Sequence, residues 1–204
     1  MSKITGIIQQ KRDKTRYNLF IDEQFFCGVT LESIYKYNLK VDKEIDKDQL
    51  GNILHAEEKS CALAKTTNYI SKSQKTKKQI RTYLLGKGFS EEVCFYCIDK
   101  LSDYGYIDDV EYSRKYIESV KKTHGKRLSD YKLMMKGVRK EDIEKAREDQ
   151  VDTEKEDAIN LARKHIKNKQ ITKENLAKTY RYLIGRGFSY ENAENAVSKI
   201  KEEF

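Results

Sequence analysis

The sequence predicts a mainly α protein: three tandem three-helix repeats in an elongated array, preceded by a small N-terminal antiparallel β-sheet. Three observations carry this. The 204 residues include no Pro, 38% are hydrophobic and 36% charged, so helix-formers dominate and nothing forces a helix to break. A short signature recurs as Lys87-Gly88-Phe89-Ser90, Lys136-Gly137-Val138-Arg139 and Arg186-Gly187-Phe188-Ser189, its glycines 49 and 50 residues apart. Blocks of positive and negative charge alternate with the same period, and two unrelated signals at one period define a repeat.

The first sixty residues differ in kind. Ile4 to Gln10, Tyr17 to Ile21 and Phe25 to Val29 are strand-like, and Asp22-Glu23 supplies a tight turn, which predicts a three-stranded antiparallel sheet. Leu31 to Tyr37 reads as a short helix. From about Asp46 a long helix runs through Leu50, Ile53 and Leu54 towards Ile70, weakened only by Gly51, and joins the sheet to the repeats.

Within the repeats, Leu84, Leu133 and Leu183 stand four residues before each glycine; Cys94/Cys97, Ile143/Ala146 and Ala193/Ala196 stand six and nine after it. Ile98/Leu101 and Val197/Ile200 extend the series to ten and thirteen, an apolar stripe along one helix. Each unit therefore reads as helix, helix, Gly-terminated turn, helix. Thr76 with Gln79 predicts a capping box, Gly88 suits a C′ position, Ser90-Glu91-Glu92 suits the next N-terminus, and Thr153 with Glu156 predicts a like start for the third repeat. In the second repeat the +10 and +13 positions are Arg147 and Gln150, so its last helix ends near residue 150 and the acids from Glu148 to Asp157 form a connector. The expected domains are 1–58, 59–107, 108–152 and 153–204.

Charge follows the repeat. Residues 59–90 hold eight basic and no acidic residues, 112–140 ten and two, and 158–190 eight and one; the segments 91–111 and 141–157 each come to −6. Three positive helix pairs alternating with acidic third helices predict separate positive and negative faces, the footprint of a polyanion groove. Lys outnumbers Arg, and Tyr69, Tyr83, Tyr112, Tyr116, Tyr131, Tyr180 and Tyr182 are interleaved without an RNP-like pattern, so DNA binding is expected to be sequence-tolerant and salt-sensitive.

Other chemistries find little to hold. The longest apolar run, Val93 to Ile98, is far short of the roughly 18 residues of a membrane span, and the N-terminus opens no signal peptide, so a soluble cytoplasmic protein is expected. Cys94 and Cys97 have redox spacing, but their counterparts in the other repeats are apolar and no strand precedes them; core packing is the better reading. His55, His124 and His165 are scattered and no HExxH occurs, so no metal is expected. No phosphate-binding loop and no nucleophile with a base is recognisable, so neither a cofactor nor catalysis is expected. Asp108-Asp109 reads as helix capping rather than a metal site, because adjacent side chains on a helix diverge.

Leu101-Ser102-Asp103-Tyr104-Gly105-Tyr106-Ile107-Asp108-Asp109-Val110-Glu111-Tyr112-Ser113, downstream of Lys87-Gly88-Phe89-Ser90, resembles the signature of the bacterial RecX regulatory proteins, as does Arg186-Gly187-Phe188-Ser189-Tyr190. The resemblance covers about residues 60–200, and the strand-rich start resembles the extension carried by RecX proteins of Gram-positive bacteria. It implies an elongated, curved array of repeats, a crescent that binds in the groove of a RecA filament on single- or double-stranded DNA and blocks its growth or promotes its disassembly. RecA's ATPase, strand-exchange and co-protease activities would fall, a role within DNA repair and the SOS response. Gly88, Gly137 and Gly187 correspond to the family's structural turns, with Phe89 and Phe188 beside them, and Asp108 and Asp109 to its acidic signature, a cap or a partner contact. Repeat 2 departs in having Val138 where its neighbours have Phe, and His124-Gly125-Lys126-Arg127-Leu128 lacks an expected proline.

The expected contact residues are Lys72, Lys75, Lys77, Lys78 and Arg81; Lys121, Lys122, Lys126, Arg127 and Lys132; and Lys167, Lys169, Lys173 and Arg181. The expected form is a monomeric, non-catalytic interaction protein. The alternative is a protein that coats DNA and affects RecA only by competing for it.

Overall fold

The computed structural model describes residues 2–11, 13–148 and 150–203. Its elements run β1 (Ser2–Gln9), β2 (Arg16–Ile21), β3 (Gln24–Thr30), α1 (Leu31–Lys36), β4 (Glu44–Ile45), α2 (Lys47–Ser71), α3 (Lys77–Gly86), α4 (Glu91–Asp103), α5 (Asp109–Val120), α6 (Lys126–Met135), α7 (Lys140–Glu148), α8 (Glu154–Ile166), α9 (Lys173–Gly185) and α10 (Tyr190–Glu203). They form two halves, 1–107 and 108–204.

In the first half the sheet has four strands in the order β3-β2-β1-β4, not the three expected. The additional strand is two residues long, pairing Ser2 with Ile45 and Lys3 with Glu44. It forms because the chain leaving α1 returns along the free edge of β1, where Ile4 N–H donates to the Lys43 carbonyl at 3.0 Å and Asp42 N–H to the Ile4 carbonyl at 2.8 Å. So short a strand shows no alternation in sequence. Asp22 and Glu23, at φ 50° and 66°, make the two-residue turn between β2 and β3, both left-handed as such hairpins require.

Ile4, Leu19, Ile21 and Val29 pack with Leu39 and with Leu54 of α2 to form the sheet's core. Helix α2 starts at Asp46, whose carboxylate accepts the N–H groups of Asp48 and Gln49. A Cβ at Gly51 would stand 3.0 Å from the Phe26 ring, the close approach for which a glycine sits inside this helix. Further along, Ala62 belongs to a second core with Ile80, Leu84, Phe89, Val93, Cys94, Cys97, Ile98 and Leu101. One helix thus serves the sheet at its start and a three-helix bundle at its end.

The second half holds two more bundles. Ile117, Leu133, Val138, Ile143 and Ala146 form the core of α5–α7, and Ala158, Ala162, Ile166, Leu183, Phe188, Ala193, Ala196 and Ile200 that of α8–α10. All three second helices end alike. Gly88, Gly137 and Gly187 have φ of 79°, 88° and 86°. Each donates to the carbonyl three residues back, and the next residue donates to the carbonyl five back: Phe89 to Leu84 at 3.2 Å, Val138 to Leu133 at 3.1 Å, Phe188 to Leu183 at 3.2 Å. This is the Schellman arrangement, and the leucine and the residue after the glycine are buried together in every unit. Gly105 ends α4 the same way, its N–H meeting the Ser102 carbonyl at 2.8 Å.

Two local expectations need correction. Thr76 and Gln79 form the reciprocal capping box, but Thr153 makes no side-chain cap on α8; its hydroxyl donates to Asp157 at 2.7 Å instead. The acids from Glu148 to Asp157 are not one connector either. Glu148 closes α7 and Glu154, Glu156 and Asp157 form the first turn of α8, where carboxylates favour the helix N-terminus; Asp149 lies outside the described residues. Helix α7 stops early, as expected, because Arg147 turns to α6, donating to Ser129 Oγ at 2.8 Å and to Asp130 Oδ1 at 3.1 Å.

Candidate nucleic-acid interface

A helix leaves its last carbonyls unpaired and carries partial negative charge there, so a cation is favoured at its end. In every three-helix unit the first two helices end on one. The C-cap residues are Lys72 and Lys87, Lys121 and Lys136, and Lys167 and Arg186. Helix stabilisation accounts for one charge at each site. It does not account for Lys75, Lys77 and Lys78, for Lys122, Lys126 and Arg127, or for Lys169 and Lys173, which follow in the loop or open the second helix, where the dipole disfavours them.

The predicted contact residues divide by their surroundings. Arg81 is held by Glu91, donating from Nε at 2.8 Å. Lys121 pairs with Glu118 at 2.7 Å and Lys126 with Asp152 at 2.7 Å, the latter pulling the Asp152 carboxyl below its ordinary range. Lys132 donates to Nε2 of His124 at 2.7 Å, and Lys169 lies 3.2 Å from Nε2 of His165. Lys75 stands 5.0 Å from the Tyr69 ring, which is stacked on Tyr83 with centroids 4.1 Å apart. Lys72, Lys78, Lys122, Lys167, Lys173 and Arg181 are exposed.

Both histidines in the second half sit in this positive field. Burial, then the charges of Lys132 and Arg186, hold the His124 pKa below its ordinary value; burial and Lys169 do the same for His165. His165 stacks on Tyr182 at 4.3 Å, and Arg186 lies 5.1 Å from that ring. The arrangement matches Tyr69 on Tyr83 in the first unit, since Tyr83 and Tyr182 each stand five residues before the glycine.

In the second half the start of α6 and the end of α9 are brought together. Gly125 N–H donates to the Arg186 carbonyl at 2.9 Å and Arg127 N–H to that of Gly187 at 3.2 Å. Lys126 N–H is met by Glu154 at 2.8 Å, whose other oxygen accepts from Asn192 at 2.9 Å. Lys126, Arg127 and Arg186 therefore share one place. Lys173 does not join them: α9 puts it about 20 Å from Arg186, at 1.5 Å per residue. A cavity of about 340 Å³ beside α6 is lined by Lys121, His124, Lys126 and Arg147, but also by Glu118, Asp152 and Glu154, so its cations are answered within the chain.

Asp108 caps α5, accepting from Val110 at 2.8 Å and Glu111 at 3.0 Å, and Asp109 is buried behind it. Cys94 and Cys97 are buried in the first bundle, where burial pushes both thiols up to about 11. No group of His, Cys, Asp and Glu that could hold a metal ion occurs among the described residues, and no described helix is long and apolar enough to cross a membrane.

Lys87, Lys136 and Arg186 are not among the expected contact residues, although each precedes its glycine in the signature and ends a helix. Sequence reading assigns no role to Arg16. This guanidinium is 1% exposed, pairs with the buried Glu58 at 2.8 Å and lies 3.9 Å from the Phe89 ring centroid, which ties the sheet to the first Gly turn. Burial holds the Glu58 carboxyl above its ordinary value even beside Arg16.

A small sheet followed by three-helix units, each with cationic ends on its first two helices, defines an α-helical repeat protein. Residues 2–46 match the family description "Regulatory protein RecX N-terminal domain" and residues 62–101 match "RecX, first three-helix domain". The chain is 33% identical over 204 residues to a Regulatory protein RecX of Clostridium botulinum (strain Alaska E43 / Type E3), covering 98% of this chain and 96% of that one. It is 33% identical over 206 residues to one of Clostridium tetani, with 98% and 95% covered. A crystal structure of regulatory protein RecX superposes with a TM-score of 0.65 at 26% identity, covering 95% of this chain and 98% of that one. That of RecX from Lactobacillus salivarius shares the fold, with a TM-score of 0.64 at 23% identity over 72% of this chain and 98% of the other. The chain belongs to the RecX family of regulatory proteins.

Proposed function

We propose that this protein binds RecA and the RecA filament on DNA in the cytoplasm, as a monomer without catalysis, and lowers recombinase, ATPase and co-protease activity by blocking filament growth or promoting disassembly. The three-helix units 59–107, 108–152 and 153–204 supply the contact surface. The observation that carries this reading is the recurrence of cations at both ends of the second helix of each unit, α3, α6 and α9, beyond what helix capping needs. Exposed lysines there fit phosphate, while the acidic third helices fit a protein surface of opposite charge. Membership of a regulatory family joins the two.

RecA's single-strand-dependent ATP hydrolysis, titrated with this protein at two salt concentrations, tests it. Inhibition at amounts far below RecA supports action on the filament. The exposed cations alone also suit a protein that coats DNA; inhibition only near lattice saturation, lost with salt, would establish that reading instead. Changing Lys121, Lys122, Lys126 and Arg127 to Glu is expected to abolish inhibition.

A further inference from the structure

Helix α6 turns bulk outward where its counterparts do not. Tyr131, Met134 and Met135, at i, i+3 and i+4, are 56%, 47% and 64% exposed, so they form one ridge. One turn earlier the exposed Arg127 lies 5.6 Å from the ring of Tyr190, itself 62% exposed at the start of α10. The corresponding positions are Thr82, Leu85 and Gly86 in α3, and Arg181, Ile184 and Gly185 in α9. Leu85 and Ile184 pack against their own cores. A contiguous exposed apolar surface of this kind marks an interaction site.

The surrounding charge selects the occupant. Residues 126–140 hold six basic residues and one acid, Asp130, which Arg147 already engages at 3.1 Å; Lys126, Arg139 and Lys140 pair with Asp152, Asp142 and Glu144, whereas Arg127 beside the ridge is exposed. A partner must bring negative charge and flat apolar faces together. An unpaired nucleic-acid strand does both, a phosphate for each base, whereas a duplex keeps its base faces stacked inside.

We propose that Tyr190, Arg127, Tyr131, Met134 and Met135 form a base-stacking platform that makes this protein prefer single-stranded over double-stranded DNA. Tyr131 and Tyr190 take base faces, the methionines adapt to the neighbouring bases, and Arg127 meets the phosphate between them. The inference rests on the reading that the basic helix pairs face DNA, and goes beyond it by naming the form of DNA and the residues that select it.

The test is anisotropy of the full chain with labelled oligo-dT, an abasic strand of equal length and a duplex. The expected result is tightest binding to oligo-dT, a loss of about fivefold or more for Tyr131→Ala or Tyr190→Ala on that strand alone, and retention by Tyr131→Phe. Equal affinity for oligo-dT and the abasic strand would overturn the platform and leave DNA binding standing. No binding to any of the three would overturn the DNA reading and the platform with it. Unchanged DNA binding with lost RecA capture in Tyr131→Ala would assign the ridge to a protein partner and also overturn the platform.

Discussion

Gly125 lies on Gly187: the α6 start meets the α9–α10 turn so closely that a Cβ on Gly125 would collide with the Gly187 carbonyl, and one on Gly187 with Leu128. Two consecutive bundles are thus fastened backbone to backbone through glycines 62 residues apart in sequence. The first half uses its own glycine turn similarly, since a Cβ on Gly88 would collide with the Gln10 side chain. Gly88 and Gly187 therefore each serve twice, ending a helix and leaving room for a neighbour.

Gly125→Ala is expected to destabilise the protein by about 1–3 kcal/mol through overpacking. Gly187→Ala adds about 1–2 kcal/mol for the left-handed backbone. Gly86→Ala and Gly185→Ala should instead stabilise by about 0.4–1 kcal/mol, because they are helical and a Cβ there has nothing within 4 Å. Urea midpoints of the four variants check the opposite signs.

The histidines set a pH dependence. Their folded pKa values lie below the ordinary 6.5, so the unfolded chain takes up protons first as pH falls. The stability they confer is complete above pH 6.5 and is lost as pH drops through the folded values. Thermal midpoints between pH 7.5 and 5 are expected to fall, and His124→Gln with His165→Gln to flatten that decline.

Paired and unpaired cations should differ in salt dependence. Lys122 is exposed, whereas Lys126 already holds Asp152. Lys122→Ala is expected to lower the slope of log K against log salt by about 0.9 on duplex or 0.7 on single strands, and Lys126→Ala by less. Affinities at four salt concentrations check the order.

Burial predicts inert thiols. Cys27, pushed up to about 12, and Cys94 and Cys97, at about 11, should resist alkylation at pH 8 in the folded protein and react promptly in denaturant. Mass spectrometry of the labelled chain reads this out directly.

The repeat was legible because it is written in local physics. Leu84, Leu133 and Leu183 with their glycines specify a helix, its end and the buried contact across the turn, all within six residues. Strand β4 was not legible, since two residues carry no period. Nor was the failed cap at Thr153, where the hydroxyl had a choice between backbone and Asp157 that spacing does not reveal. Among the predicted contact residues, composition located the cations but not their partners: Arg81, Lys121 and Lys126 find carboxylates 10, 3 and 26 residues away.

The class, the turns and the rhythm of charge can be read along the chain because they depend on near neighbours in sequence. Tertiary structure alone decided that Arg16 reaches Glu58 and Phe89, that Gly125 rests on Gly187, and that Tyr131, Met134 and Met135 face outward beside Arg127 and Tyr190. Those facts join residues far apart in sequence, and only packing, by burying one face of each helix, selects which side chains remain to meet a partner.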